Sequence, residues 1–542
     1  MISSIHKYNY PNCSMYELLK ESSKDYLDKT AFICNGNKIK YIDFLSNIDE
    51  CANSFVEFGI KKEDIVSIIP ENMLEFITCI YAFNKLGITC NMIHFSSGEE
   101  EIKKSFIDTK SNYLIVSERQ IKKINNIKNK LNIKKIIYIS EKNVSSTFDK
   151  IKKLFHNDYN IIDHDYISYN KIIFRGKYKN IKIKKSKYED YNAFIIKGSN
   201  KYIMLSNLNI NASSINFNSN DSVLKDKKYM FDYSISTGFG ITSIHKALIS
   251  GSKIILIKNL SYKNIPEAII KYKPNVLECT TNLLNVIMNN KKFKDKDMSY
   301  LKLIICSKEK LNKTLKEKMN LFLKKHNSLS DIKSTYGMKE STSNVAITDV
   351  EDEDIIGNPY QNIEIKIFSD SLKECKPFEV GEICINGPVL MMGYLNDKES
   401  TNKILKKHKD NKIWLHCGDL GYIDEKGHIH FKSSLKRVII SSGNEIYPSE
   451  VENIILAHPF VQACSIVGVP HPYKKEVVKV YIVLKRGLIL NSEIKKSIRE
   501  YCEKNISDYA LPYAYAYRKE LPKTIYGKVS YEELLSGKDE EE

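Results

Sequence analysis

Apolar residues along this chain recur at two periods, one suited to helices and one to strands. Ile42–Phe58 carries apolar positions at helical spacing, and the run Asp64-Ile-Val-Ser-Ile-Ile that follows predicts a short buried strand. Met73–Leu86 returns to helical spacing before Gly87-Ile-Thr-Cys opens another strand. The same alternation runs from Lys253 to Met288, which predicts an α/β sandwich with largely parallel sheets. From about Glu118 to Tyr188 the pattern breaks into Lys/Asn-rich sequence with short apolar runs, predicting an expanded surface excursion.

The last third is more legible. Gly421–Phe431 predicts two strand pieces around an Asp-Glu-Lys-Gly turn, and Val438–Ile440 a strand broken by Ser441-Ser442-Gly443. Ser449 predicts a helix N-cap. Glu450 and Glu452 follow in the first turn, where the helix dipole favours carboxylates, and Val451, Ile454 and Ile455 share one apolar face. His458-Pro459 ends that helix. Val461–Val469 and Val477–Leu484 then predict a strand pair joined by a Pro470–Glu476 loop. Together these elements make a compact α+β unit of about a hundred residues.

Composition adds limits. A chain of 542 residues exceeds what one core serves, so two or more domains are expected. Lys and Arg outnumber Asp and Glu by 83 to 66, for a net charge of +17. That surplus suits phosphate-bearing ligands, an anionic membrane surface or nucleic acid. It is dispersed, however, in stretches such as Lys122–Lys135 and Lys177–Lys187, without interleaved aromatics or a nucleic-acid motif. It therefore reads as solvated faces, and no nucleic-acid partner is expected. The twelve cysteines include no C-x-x-C pair and read as reduced thiols, many of them small buried hydrophobes. No run approaches the roughly 18 to 20 apolar residues that cross a bilayer. Met1–Tyr10 shows no secretory signal, so a cytoplasmic location is expected. His428 and His430 alternate along a strand and share a face for ordinary reasons of pleat, not as a metal pair.

A series of motifs then occurs in fixed order: Gly381-Glu-Ile-Cys-Ile-Asn-Gly-Pro, Gly393-Tyr-Leu-Asn-Asp, His416-Cys-Gly-Asp, Ile440-Ser-Ser-Gly-Asn-Glu-Ile-Tyr-Pro-Ser-Glu, Val467-Gly-Val-Pro-His-Pro and Leu521-Pro-Lys-Thr-Ile-Tyr-Gly-Lys. The series resembles the adenylate-forming superfamily of acyl-CoA synthetases, coumarate–CoA ligases, luciferases and peptide-synthetase adenylation domains. The resemblance spans essentially the whole chain and is strongest from about Tyr336 onward. It implies a large N-terminal domain of layered α/β sheets (residues 1–432) and a small mobile α+β lid (433–542). It also implies ATP, Mg²⁺ and CoA as reactants, with a fatty acid converted through an acyl-adenylate to its CoA thioester. Oligomeric state and peripheral membrane contact stay open.

Residue by residue, the resemblance gives Asp419 the ribose, through hydrogen bonds to both hydroxyls. Tyr336-Gly337-Met-Lys339-Glu340 resembles the family's Tyr-Gly-Met-Thr-Glu, with Tyr336 on adenine, Glu340 holding Mg²⁺ and Lys339 standing where the family has threonine. Lys528 matches the lid's catalytic lysine, which offsets charge between the carboxylate and the α-phosphate. Ser442 and Gly443 stand in the lid loop that meets CoA.

Four departures stand out. Of the family's phosphate loop only Gly198, Ser199 and Lys201 have counterparts, so most of the backbone and hydroxyl donors such a loop supplies are missing. Ser307-Lys-Glu-Lys-Leu311 replaces a small-residue segment and is expected to crowd the pocket. The hinge Asp-Arg pair aligns with Ser433-Ser434, which removes a charged hydrogen-bond donor to nucleotide; Lys436, a candidate nucleotide contact, and Arg437 follow. Asp232 sits nearest the family's usual histidine. Two functional expectations follow: an active acyl-CoA synthetase, or a catalytically impaired relative that binds acyl-CoA, nucleotide or a protein partner.

Overall fold

A computed structural model of the chain describes residues 10–140, 165–176, 192–198, 201–220, 224–258, 261, 263–307, 311, 313–348, 354–441, 444–471, 474–508, 510–524 and 529–536. The helix expected at Ile42–Phe58 runs over Tyr41–Phe58, burying Tyr41, Phe44, Ile48, Cys51, Ala52 and Phe55 on one stripe. It stops at Gly59, whose φ of 96° only glycine adopts without cost; Gly59 N donates to Val56 O and Ile60 N to Phe55 O, both at 3.0 Å. Leu74–Leu86 ends the same way at Gly87. Strands Ile65–Ile69 and Thr89–Met92 follow their helices, as the periodicity predicts.

The chain divides into two compact units, Met1–Ile365 with Ile385–Leu415, and Lys366–Cys384 with His416–Glu542. The first holds a nine-stranded and an eight-stranded sheet. In the nine-stranded sheet, Asp331–Gly337, Leu303–Cys306, Val276–Cys279, Lys228–Phe231, Lys253–Leu256 and Thr30–Cys34 are adjacent and parallel. Asn344–Thr348 returns antiparallel beside Asp331–Gly337. One face of this sheet is apolar, with Met230, Leu277, Cys279, Ile304, Cys306 and Ile332 in a single core cluster.

In the eight-stranded sheet, Ile65–Ile69 lies between Thr89–Met92 and Tyr113–Ser117, all parallel. Lys135–Ile139 and Tyr166–Ser168 extend it. These last two strands lie within the stretch after Glu118 expected to contain a surface excursion: Ile136, Ile137 and Ile139 are buried, enough to hold a strand among lysines and asparagines. Residues 141–164 and 177–191 lie outside the described residues.

The second unit contains the ladder Ile413–Ile423 with Ile429–Ser434 from Asp419 onward, and a five-stranded sheet built on Val461–His471 and Lys475–Leu484. That pair is tighter than expected, because His471 already faces Lys475 across the ladder. The helix Pro448–Leu456 begins one residue before the expected cap. Tyr447 is its N-cap, and the Ser449 hydroxyl donates to Lys432 O instead. All twelve cysteines are free, seven of them buried. Among the described residues no helix is long and apolar enough to cross a membrane.

Helix Gly238–Ile249 is buried almost throughout and carries two ionisable residues inside, His245 and Lys246. The Tyr81 hydroxyl lies 3.0 Å from His245 Nδ1, and His245 Nε2 lies 3.0 Å from Asn211 Oδ1, an acceptor, which fixes the proton on Nε2. Burial pulls the imidazole from 6.5 down to about 3, so it stays neutral in the folded chain. Between pH 6.5 and about 3 the unfolded chain therefore binds a proton that the folded chain refuses, and stability falls as pH falls. The expected result is that urea unfolding of the wild type loses up to about 1.4 kcal/mol per pH unit more in that window than His245→Gln. Parallel pH profiles for the two proteins would contradict it.

Candidate functional site

Strand Asp331–Gly337 delivers Tyr336 and Gly337 at its carboxyl end, the edge of an open parallel sheet where ligands bind. Gly337 has no room for a side chain: a Cβ there would lie 2.2 Å from Ser343 O and 2.6 Å from Asn344 Cα. That close approach is a bulge, where the register with the returning strand shifts between Tyr336 and Gly337. The chain then turns through Lys339–Ser341, and Thr342 adopts φ 69°. The turn is stitched down on two sides. Thr342 Oγ1 donates to Val389 O at 2.7 Å and Met391 N donates to Glu340 O at 2.8 Å. Gly238 packs so tightly beneath it that a Cβ would lie 2.2 Å from Thr342 O.

Glu340 is oriented by a residue singled out only as part of a motif, Tyr394, whose hydroxyl donates to Glu340 Oε1 at 3.0 Å. Burial, then the Glu340 carboxylate, hold the Tyr394 phenol above its ordinary pKa, so it remains a donor. The Lys201 ammonium lies 5.0 Å above the Tyr394 ring and 3.5 Å from Asp397 Oδ2. Lys339, in the threonine position, donates from Nζ to Lys197 O at 2.9 Å. Tyr336, Gly337, Lys339, Glu340, Gly198 and Lys201 thus belong to one neighbourhood of the first unit.

The phosphate-loop position is a hairpin. Strands Asn192–Lys197 and Tyr202–Ser206 are antiparallel, Lys197 faces Tyr202, and Gly198 N donates to Lys201 O at 2.7 Å. A Cβ on Gly198 would sit 3.0 Å from that same carbonyl. Here the backbone donor of Gly198 is spent on closing the turn, where a longer glycine-rich loop would aim such donors outward. Ser199 lies outside the described residues.

Three other departures resolve differently. Ser307 is fully buried and donates to Glu278 Oε1 at 3.4 Å, while Lys308, Glu309 and Lys310 lie outside the described residues, and with them the expected crowding. Asp232 accepts from Thr280 N and Oγ1, the latter at 2.9 Å, and so holds in place the N-cap residue of helix Thr281–Asn289. In the second unit Arg437 is held by Glu452 and lies 4.2 Å over the Tyr531 ring, and the Lys436 side chain lies outside the described residues.

Asp419, also in the second unit, faces Ser434 across a ladder, and Ser434 Oγ donates to Gly418 O at 3.2 Å. The preceding turn is fixed by Glu382, which accepts from Gly418 N at 2.9 Å and meets His416 Nδ1 at 2.5 Å. Cys384 completes a group whose ligand atoms lie within 4.8 Å of one another, but the carboxylate is already committed to these two contacts. His428 and His430 both turn to Asp424, at 3.0 and 3.3 Å. Ser442, Gly443 and Lys528 lie outside the described residues.

One feature was missed from sequence. Lys246 Nζ and Glu278 Oε2 form an ion pair of 2.7 Å with side chains 4% and 1% exposed. Glu278 also accepts from Tyr229, from Ser243 at 3.0 Å and from Asn344 at 3.5 Å. Losing one partner of such a pair typically costs about 3–5 kcal/mol, because the other charge stays buried. The available signal was a lysine inside an apolar helix and a glutamate inside the strand Val276–Cys279.

Comparison with known proteins agrees with this layout. Residues 19–395 match the AMP-binding enzyme family, and residues 450–528 match the AMP-binding enzyme C-terminal domain. A long-chain-fatty-acid–CoA ligase of Bacillus subtilis is 26% identical, over 99% of this chain and 96% of its own. Among solved structures, an anthranilate CoA ligase in complex with anthranoyl-AMP superposes with TM-score 0.82 at 19% identity, covering 97% of both chains. ATP-bound MatB from Rhodopseudomonas palustris gives TM-score 0.82 at 18% identity, covering 97% of this chain and 99% of its own. With family matches on both the large and the small part of the chain, and a relative similar along nearly its whole length, this protein belongs to the AMP-binding enzymes, the adenylate-forming family of acid–CoA ligases.

Proposed function

We propose that the chain activates a carboxylic acid with ATP and passes the acyl group to CoA. A carboxylate oxygen attacks the α-phosphorus, the bond to pyrophosphate breaks, and an acyl-adenylate forms. The CoA thiol then attacks the acyl carbon, AMP leaves with the bonding electrons, and the thiol proton passes to solvent. The carrying observation is the Tyr394–Glu340 hydrogen bond beside Lys201 and Lys339, in a neighbourhood that holds two carboxylates, Glu340 and Asp397, and two ammonium groups at the end of a parallel strand.

In this reading Tyr336 lies against adenine at the close backbone approach of Gly337, and Asp419 accepts from the ribose hydroxyls. Glu340 holds Mg²⁺: its carboxylate is steadied by one hydrogen bond and retains acceptor capacity, which with phosphate oxygens suits a hard cation. The metal would neutralise phosphate charge. Lys339 and Lys201 serve the phosphates as point charges beside Gly198, whose own N–H closes the hairpin, and Ser199 adds a hydroxyl donor. Lys528 supplies the lid's mobile cation, Lys436 a further contact to nucleotide, and Ser442 with Gly443 meet CoA. A fatty acid, the substrate class in the Bacillus subtilis relative's name, is the starting point for assay. The competing reading, a relative that binds nucleotide without turnover, draws on the closed hairpin.

ATP–pyrophosphate exchange with an acid panel tests the proposal. Exchange is expected in the wild type and a loss of at least tenfold in Lys528→Ala; no exchange with any acid from folded protein would favour the competing reading. A second expectation concerns the lysines. Lys201→Met with Lys339→Met should weaken ATP at least tenfold by calorimetry, about 1.4 kcal/mol, and flatten its salt dependence. Unchanged ATP affinity would remove both residues from the phosphate site.

A further inference from the structure

The lysine surplus is scattered along the sequence, but the fold gathers part of it on the large unit. Helix Lys313–Lys325 packs Met319 and Leu323 into the apolar cluster of the nine-stranded sheet. Its outer side exposes Lys318, Lys324 and Lys325 around Leu321, which stands three or four residues from each and is 70% exposed. Leu329, four residues beyond the helix, is 92% exposed.

A second lysine group adjoins the first. The turn Lys291–Phe293 and the loop after it expose Lys291, Lys292, Lys294 and Lys296. The Phe293 ring lies 6.4 Å from Phe322, Met298 N donates to His326 O at 2.8 Å, and Asn327 Nδ2 donates to Asp297 Oδ1 at 3.2 Å. The two groups therefore share one face. Lys271, Lys292 and Lys296 line an open hollow of about 420 Å³ with Glu267 and Ile270. Eight exposed lysines thus meet four exposed carboxylates, Glu267, Asp295, Asp297 and Glu317. Lys292 already holds Glu267, and Asp297 accepts from Ser299 at 2.6 Å as well as from Asn327.

A single exposed leucine is ordinary, and so are lysines at a helix C-terminus. Two leucines projecting within a positive face are the pattern of a surface that meets an anionic bilayer. We infer that this face docks the protein on a membrane rich in anionic lipid. The lysines attract headgroup phosphates, the hollow seats one, and the leucines enter the boundary with the acyl chains. Among the described residues no aromatic ring is exposed on this face, whereas a single-stranded nucleic-acid surface stacks bases on such rings. The two loops precede strands Leu303–Cys306 and Asp331–Gly337, at the opposite edge from the carboxyl end that carries Tyr336, so docking leaves that end clear.

The test is co-sedimentation of the full chain with lipid vesicles. Vesicles of phosphatidylserine and phosphatidylcholine in equal parts should bind the wild type at least tenfold more tightly than phosphatidylcholine alone, and less tightly as salt rises. Lys318→Glu with Lys324→Glu and Lys325→Glu should lower that binding at least tenfold. Lys104→Glu with Lys122→Glu and Lys130→Glu makes the same charge change at exposed positions beside the eight-stranded sheet, and should leave binding within twofold. Leu321→Ser with Leu329→Ser alters no charge and should lower binding at least threefold. Equal binding to the two kinds of vesicle overturns the inference, as does equal loss in the two lysine variants or no loss in the leucine variant. A single-stranded RNA bound more tightly than the mixed vesicles, and released by the same three substitutions at Lys318, Lys324 and Lys325, overturns it in favour of a nucleic-acid partner. If a lysine variant does not fold, the wild-type preference and the leucine variant decide.

Discussion

A carboxylate with almost no access to water has to find its solvation in the protein, and much of the large unit is arranged to supply it for Glu278. Donors arrive from the adjacent strand through Tyr229, from the covering helix through Ser243 and Lys246, and from the returning strand through Asn344. Each contact fixes an element that a purely apolar interface would leave free to slide. The helix that carries Lys246 is the one whose Gly238 meets the Thr342 backbone. The register of Asn344 against Gly337 sets the bulge after Tyr336. The charged pair and the turn that carries Glu340 are therefore mechanically joined.

The phosphate end follows a different economy. A glycine-rich loop binds phosphate by turning several peptide N–H groups to one point, which needs a loop long enough to leave them unpaired. In this hairpin Gly198 N closes the turn, so that donor is not turned toward a phosphate. Ammonium groups on flexible stems can replace such an array with little demand on backbone geometry. Lys339 would make that exchange in the proposed function. A threonine in that place would act at short range, while the lysine reaches across to the hairpin at Lys197 O.

What could be read from the residues in order was the type of each element and the family they compose. Helical spacing over Ile42–Phe58 and apolar runs such as Ile65–Ile69 describe local burial, and local burial is what periodicity encodes. The errors have local causes too. Ser449 looked like a cap because serine often is one, but its hydroxyl found Lys432 O, a partner seventeen residues away that no local rule supplies. The lysine-rich stretch after Glu118 hid the strand Lys135–Ile139, whose few isoleucines suffice once a neighbouring strand is present.

The sequence alone determined the fold class and the order of motifs, which depend on short-range pattern and spacing, and it pointed to Tyr336, Glu340 and Asp419 only through the resemblance those motifs carry. Only the tertiary structure decided that Tyr394 orients Glu340, that Gly198 closes a hairpin, and that Lys246 and Glu278, thirty-two residues apart, neutralise each other inside. The reason is physical. A side chain's chemistry is set by its charge, its water and its partners, and for a buried group all three are supplied by segments distant in sequence, brought near by strand pairing and helix packing.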